Sequence, residues 1–385
     1  MKKLLVFTST FPRWKNDTIP PFVYELSKRL TKDFDVYVLA PHYPGAKDFE
    51  IMDKMKVYRF RYFLQKYEKL AGEGGILPVL KKNPFYYFEV PFFLFWEYFA
   101  LKNLVKKIQP DVIHAHWIIP QGFIAALVKT STNVPYVVTS HGSDIIGLKG
   151  YKLIKKFTLE NAKNITVVSN SLKDEALKIS PNLKIEVIPM GVDTKLFNPH
   201  KRDLSIKKKY KIKGPFLLFV GRLAPEKGIK FLLEAMPKVI KEYPEAKLMI
   251  IGDGTLKEEL KKSVKKLNIE KNIIFMGWVK HEELPKYYAT ADIFVCPSLR
   301  EGFGLTFAEA AICGCNLIGP NVGGIQHILS INKDGLLLEK LTGNKIALKI
   351  IYLIKKYNPY RTLKNKLIKE LSITETIKKY NILLR

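Results

Sequence analysis

Short apolar runs alternate with amphipathic stretches along the whole chain. In the first half, KLLVFTS (3–9), DVYVLAP (35–41), DVIHAH (111–116), YVVTSH (136–141), ITVVS (165–169) and IEVIP (185–189) have the length and β-branched content of strands. Helical patterns lie between them. One is PPFVYELSKRLTK (20–32), with its prolines at the helix start, where the missing N–H would have no partner anyway. Strands that read as continuous apolar runs are buried on both faces. Their alternation with helices predicts a parallel sheet covered by helices on both sides, an α/β architecture.

The second half restarts the rhythm. PFLLFVG (215–221), KLMIIGDG (247–254), NIIFMG (272–277), IFVCPS (293–298) and NLIGP (316–320) read as strands, and GIKFLLEAMPKVIKEY (228–243) and LKEELKKSVKKL (256–267) as helices. Between the halves, residues 191–215 are charged, bounded by Gly and Pro, and without apolar periodicity, so they read as a linker. The stretch from Leu341 to Arg385 reads as all-helical. The chain is too long for one ordinary core and suits two domains. Open parallel sheets bind ligands beyond the carboxyl ends of their strands. Two such sheets facing each other would leave a cleft, with the informative residues in strand-to-helix loops.

Charge sharpens this picture. With 64 Lys and Arg against 36 Asp and Glu, the net charge is +28, which attracts phosphorylated substrates, anionic headgroups or nucleic acid. The three cysteines, Cys296, Cys313 and Cys315, form no disulfide framework and favour a reducing, cytoplasmic setting. Cys313 and Cys315 lack further ligands nearby and read as small buried residues. The apolar run at the N-terminus ends at Phe7, too short for a secretory signal. No stretch reaches the length of a spanning helix. The segment 83–108 carries ten Phe, Tyr or Trp residues followed by lysines. A helix lying on an anionic membrane surface and a helix packed on the first sheet both fit it.

The most informative loop is PSLREGFGLTFAEA (297–310). IFVCPS leads into the turn REGFG, and LTFAEAAIC continues as a helix. Glycines allow close backbone approach, and the first helical amides have no partners inside the helix, so the turn suits an anion. Glu301 stands at the turn and Glu309 about one helical turn in. A carboxylate beside a bound phosphate is repelled by it, so these two suit hydroxyl groups instead. A ligand with phosphates in the middle and polyols at both ends satisfies both conditions, as a nucleotide-sugar does. Upstream, Arg222 follows FLLFVG and Lys227 opens the next helix. Two cations at that sheet edge could neutralise a departing diphosphate without metal. In the first half, His141 ends a strand before Gly142, at the expected edge of the cleft. His114 and His116 form an H-x-H at another strand end with no third metal ligand; His114 reads as structural and His116 as near the acceptor.

These motifs, taken in order, resemble one family. VGRLAPEKGIKFLLEA, IIGDG, PSLREGFGLTFAEAAICG and VGGIQHIL are similar to the C-terminal half of the retaining GT-B glycosyltransferases of family 4 (glycosyltransferase group 1), with the E-x7-E spacing met by Glu301 and Glu309. VIPMGVDTKLF resembles the family's interdomain hinge, and TSTFPRW, DVIHAHWIIPQG and VVTSHGSD resemble its first half. The resemblance implies two Rossmann-like domains: an acceptor domain over 1–195, a donor domain over 196–360, and a helical tail over 361–385 able to pack back on the first domain. It implies that Arg222 and Lys227 hold the donor diphosphate with the amides of Phe303, Gly304 and Leu305. Glu309 would bind the ribose, the backbone around Val279 would line the base pocket, and Glu301 and His141 would act at the transferred sugar. Three stretches depart from the family. The first loop reads KNDTIPPF where many members carry Gly-Gly, GCNL stands where Gly-x-Pro-Val is common, and the hinge has Pro-Met-Gly. A packing change is expected at GCNL.

The implied reaction moves a hexose-type sugar from a nucleoside diphosphate to an acceptor hydroxyl, with retention and without metal or other cofactor. The acceptor would be a glycan, lipid-linked if segment 83–108 meets a membrane. A nucleotide-sugar epimerase of the same fold is an alternative. A basic nucleic-acid-binding protein is a poorer one, because runs such as KKKYKIK (207–213) sit in the expected linker.

Overall fold

The apolar runs of the first half, joined by two further short strands, become one sheet. Its strands are β1 (Lys2–Phe7), β2 (Phe34–Pro41), β3 (Phe49–Met52), β4 (Met55–Phe60), β5 (Val112–His116), β6 (Tyr136–Ser140), β7 (Asn164–Val167) and β8 (Ile185–Val187). The second half supplies β9 (Phe216–Val220), β10 (Lys247–Ile251), β11 (Ile273–Gly277), β12 (Ile293–Val295), β13 (Asn316–Pro320) and β14 (Leu336–Leu338). The computed structural model describes every residue except 16, 18, 20, 73, 74, 149, 333, 334 and 357–364. Residues 16, 18 and 20 of the KNDTIPPF loop therefore lie outside the described residues.

Two units result, one of Met1–Ile188 with Thr376–Arg385 and the other of Pro189–Glu375. The first holds an eight-stranded sheet in the order β3-β4-β2-β1-β5-β6-β7-β8. All its pairings are parallel except the β3–β4 hairpin. The second holds a six-stranded parallel sheet, β11-β10-β9-β12-β13-β14. That order is the doubly wound 3-2-1-4-5-6 arrangement, whose direction reverses between β9 and β12. The loops after those two strands flank the switch point, and they carry Arg222 and the stretch 297–304. In the first sheet the reversal falls between β1 and β5.

Continuous apolar strands are buried on both faces, as their composition requires. Leu4, Leu5, Val6 and Phe7 of β1 and Leu217, Leu218 and Phe219 of β9 have no exposed surface. At about 25 cal/mol per Å² of apolar surface removed from water, such strands dominate each unit's stability. The last residues of the chain complete the first core: Tyr380, Leu383 and Leu384 pack with Leu4, Val6, Val36 and Val137.

Three elements differ from the sequence reading. The β3–β4 hairpin was not expected; its turn runs through Asp53 and Lys54, both at positive φ, as tight hairpins require. The stretch 191–215 is not a free linker. Phe197, Ile206 and Ile212 are buried within the second unit, and Val192 bridges to Ser372. Strand β14 was also missed, since Leu336–Leu338 is a three-residue run with no alternation. At GCNL, Asn316 is buried in β13 and its side-chain amide donates to the Asp292 carbonyl at 2.8 Å. All three cysteines are buried.

Candidate active site

In the second unit, β12 ends at Val295 and the helix Leu305–Ile312 begins after Gly304, whose φ is 91°. The first amides of this helix lie ahead of any intrahelical acceptor. Phe303 is buried and Leu305 half-exposed. Across the switch point, Lys227 closes a one-turn 3-10 helix, Pro225–Lys227. Its Nζ lies 2.5 Å from Oε2 of Glu301, and each side chain is 18% exposed. The Ser298 hydroxyl is 3.5 Å from the same oxygen. Burial alone would lower the Lys227 pKa; the neighbouring Glu301 carboxylate outweighs it and holds the ammonium above its usual value. Arg222 follows β9 and pairs with Glu226 in the solvated part of the loop. The two loops are tied together by the Leu299 amide, which donates to the Glu226 carbonyl at 2.8 Å.

Glu309 lies one turn into the helix and is 3% exposed. Its carboxylate is held from both sides: His281 Nε2 is 2.8 Å from Oε1, and the Tyr288 hydroxyl donates to Oε2 at 3.0 Å. Burial and the adjacent Glu309 charge push the Tyr288 hydroxyl well above its ordinary pKa, so it stays a donor. Val279 is half-exposed in the turn after β11, two residues before His281. The structure thus brings the 277–281 turn beside Glu309, and Lys227 onto Glu301.

In the first unit, β5 and β6 pair so that His116 lies opposite Thr139. The alternation of a strand puts His114, His116, Thr139 and His141 on one side. His114 Nε2 is 2.8 Å from the Thr139 hydroxyl, and Thr139 in turn is 3.2 Å from the Tyr380 hydroxyl. His116 has no exposed surface, and its Nδ1 lies 3.0 Å from His141 Nε2. It is therefore a buried partner of His141, the residue through which it could bear on an acceptor. Burial pushes His114 and His141 down to about 3 and His116 well below its ordinary value, so all three are neutral at neutral pH. The loop after β6 is fixed by Asp144. This buried carboxylate accepts from the Ile118 amide at 2.7 Å, the Ser140 hydroxyl at 2.8 Å and the Gly142 amide at 3.1 Å. Among the described residues no cluster of three His, Cys, Asp or Glu could hold a metal ion.

Comparison with known proteins decides what these loops belong to. The family description "Glycosyl transferases group 1" matches residues 201–370, and "Glycosyltransferase Family 4" matches 21–196. An uncharacterized glycosyltransferase of Methanocaldococcus jannaschii is 31% identical over 339 residues, 80% of this chain and 83% of its own. The chain is a glycosyltransferase, with a family 4 domain followed by a group 1 domain. The UDP-Gal:alpha-D-GlcNAc-diphosphoundecaprenol alpha-1,3-galactosyltransferase of Escherichia coli is 31% identical over 62% of this chain and 65% of its own. Among solved structures, sucrose-phosphate synthase from Thermosynechococcus elongatus aligns with a TM-score of 0.80 at 19% identity, covering 100% of this chain and 98% of that one. Anabaena HepE in complex with UDP aligns at 0.75 and 16% identity, covering 100% and 99%. The glycosyltransferase has the GT-B fold: two parallel-sheet α/β units and a helical C-terminal end.

Several residues that shape the glycosyltransferase's loops were not singled out in the sequence. His281 and Tyr288 reach Glu309 from a turn and a separate helix, so no local spacing marks them. Asp144 was quoted only as part of HGSD. The VGG stretch proves to be a buttress. A Cβ on Gly323, at φ 54°, would stand 2.0 Å from the Glu301 carbonyl oxygen, and the Gly324 amide donates to the Gly302 carbonyl at 3.1 Å. Gly228, at φ 64°, fills the same role beside Lys227, where a Cβ would lie 1.9 Å from the Pro297 carbonyl oxygen. Backbone on both sides leaves little room to relax. Gly228→Ala is therefore expected to cost at least about 2 kcal/mol and to weaken donor binding by displacing Lys227. Thermal unfolding together with a ligand titration checks this, and an unchanged melting temperature would contradict it.

Proposed function

We propose that the enzyme transfers a hexose from a nucleoside diphosphate sugar to an acceptor hydroxyl, with retention of anomeric configuration. One observation carries the reading: the Lys227–Glu301 pair stands at the switch point of the second sheet, beside the N-terminus of the helix that holds Glu309. Arg222, Lys227 and the amides of Phe303, Gly304 and Leu305 would hold the diphosphate and stabilise the charge that develops as it leaves. An ammonium has three protons, so Lys227 can keep Glu301 while it meets a phosphate. Glu301 would then face the hydroxyls of the transferred sugar. Glu309 would accept from the ribose diol, its orientation fixed by His281 and Tyr288, and the turn at Val279 would flank the base. His141 is the group of the first unit assigned to the sugar. Its Nδ1 is buried and has no hydrogen-bond partner among the described residues.

Retention without an evident carboxylate nucleophile favours front-face attack, in which the leaving phosphate takes the acceptor's proton. In this reading the two cations do the work a metal would otherwise do, so chelators are expected to leave activity unchanged. The Anabaena neighbour's complex with UDP supports a nucleotide donor. The Escherichia coli relative, named for a diphosphoundecaprenol-linked sugar, supports a lipid-linked glycan as acceptor.

A thermal-shift screen of nucleoside diphosphate sugars tests the donor site. One or two donors should raise the melting temperature, and Arg222→Ala should remove the shift. If no donor shifts the protein, or the variant responds like the parent, the assignment fails. Donor consumption without an acceptor product would point instead to epimerisation.

A further inference from the structure

A helix at the edge of a globular unit needs one apolar stripe, and the helix Val90–Ile108 has two. Its inward stripe, Phe93, Leu101, Leu104 and Ile108, is buried. On the opposite side Phe92, Phe95, Trp96 and Phe99 recur at spacings of three and four, and the turn before it adds Phe85 and Phe88. These six rings are between 38% and 61% exposed. They form one surface rather than scattered residues. Phe88 and Phe92 lie 5.6 Å apart, Phe95 and Phe99 4.8 Å, and Phe63 joins the patch 5.5 Å from Phe92. Exposed apolar residues that occur singly need no explanation, but a contiguous aromatic face does.

Within residues 61–110 the exposed charge of the described residues is of one sign, although Arg61 at its start pairs with exposed Asp48. Residues 61–110 contain eight Lys or Arg and four Glu. The three described glutamates, Glu68, Glu89 and Glu97, have no exposed surface. Burial pushes Glu97 up to about 8, and burial with the nearby Glu68 charge pushes Glu89 up to about 7, which mutes their charge further. Lys102 and Lys106 continue the aromatic stripe at three and seven residues beyond Phe99. Lys66 lies over the exposed ring of Tyr67, itself in contact with Phe63. Among the described residues the exposed charge of this segment is therefore entirely positive.

We propose that this face docks on an anionic lipid surface, the rings entering the headgroup layer and Lys66, Lys102 and Lys106 meeting its phosphates. Aromatics at headgroup depth with lysines beside them are what an interfacial helix requires. A second copy of the chain fits less well, because two such faces would bring like charges together. No helix among the described residues is long and apolar enough to cross a membrane, so the attachment is peripheral. As an account of where the enzyme meets its acceptor, this rests on the function proposed above; as a binding surface it is tested without donor or acceptor.

The test is co-sedimentation of the full chain with phosphatidylcholine vesicles, with and without phosphatidylglycerol. The parent should bind the phosphatidylglycerol vesicles, lose most of that binding at high salt, and bind phosphatidylcholine weakly. Lys102→Gln with Lys106→Gln should weaken binding roughly thirtyfold, at about 1 kcal/mol per lysine. Phe95→Ser with Phe99→Ser should abolish it while leaving the circular dichroism spectrum and melting temperature unchanged, since both rings are surface groups. Absent binding, equal binding to both vesicles, or unaltered binding by the aromatic variant would overturn the proposal. So would light scattering that shows a dimer broken by that same variant. Donor-induced thermal shifts, measured in parallel, tell a failure of this surface from a failure of the donor site.

Discussion

Replacement of Lys227 by alanine is expected to lower kcat/KM by roughly a hundred- to a thousandfold, the usual effect of removing one preorganised group from a developing anion. Two effects combine. The diphosphate loses a cation held close to the helix amides, and Glu301 loses the partner that now lies 2.5 Å away. An unpaired carboxylate in that position repels the incoming phosphates. Lys227→Ala combined with Glu301→Gln should therefore bind donor more tightly than Lys227→Ala alone, although it would still turn over slowly. Steady-state kinetics with a donor-binding titration separate these effects. A loss in kcat/KM below about threefold would mean that Lys227 is only a structural partner of Glu301.

The first unit is expected to unfold in acid. His114, His116 and His141 are depressed by burial, so the unfolded chain takes up protons before the folded one does. Their contribution to stability is complete above pH 6.5 and is lost as pH falls, toward 3 for His114 and His141, at up to about 1.4 kcal/mol per pH unit for each imidazole. Glu97 and Glu89 act in the opposite direction. Their raised values favour the folded state increasingly as pH falls from about 8 and about 7 to 4.5. Below 4.5 that gain is complete while the imidazoles continue to titrate, so the steepest loss is expected between pH 4.5 and 3. His114→Gln should move the acid midpoint, followed by circular dichroism, to lower pH. An unmoved midpoint would mean that the imidazoles titrate together with unfolding at other groups.

Much of this architecture was legible because most strands of the two sheets are near-continuous apolar runs. The Glu301–Glu309 spacing was legible because a turn and one helix connect the two residues, and local geometry suffices. What escaped depends on distant pairing. The β3–β4 hairpin joins two short strands, FEIM and MKVYRF, whose few apolar residues are interrupted by Glu, Lys and Arg. Phe197, Ile206 and Ile212 are spaced too irregularly to announce a packed segment. His116 was read from its place at a strand end, but the β5–β6 register, which sets it against His141, is a tertiary fact. The holders of Glu309 stand 28 and 21 residues before it in the chain.

We place the seat of a nucleoside diphosphate at the loop after β12, the start of the helix Leu305–Ile312 and Lys227. A crystal structure of the protein with a nucleoside diphosphate bound tests it most directly. Phosphate oxygens are expected within hydrogen-bond distance of Lys227 Nζ and of the amides at Gly304 and Leu305, with the ribose diol on Glu309. A nucleotide seated elsewhere, with Lys227 still bonded to Glu301 alone, would contradict it.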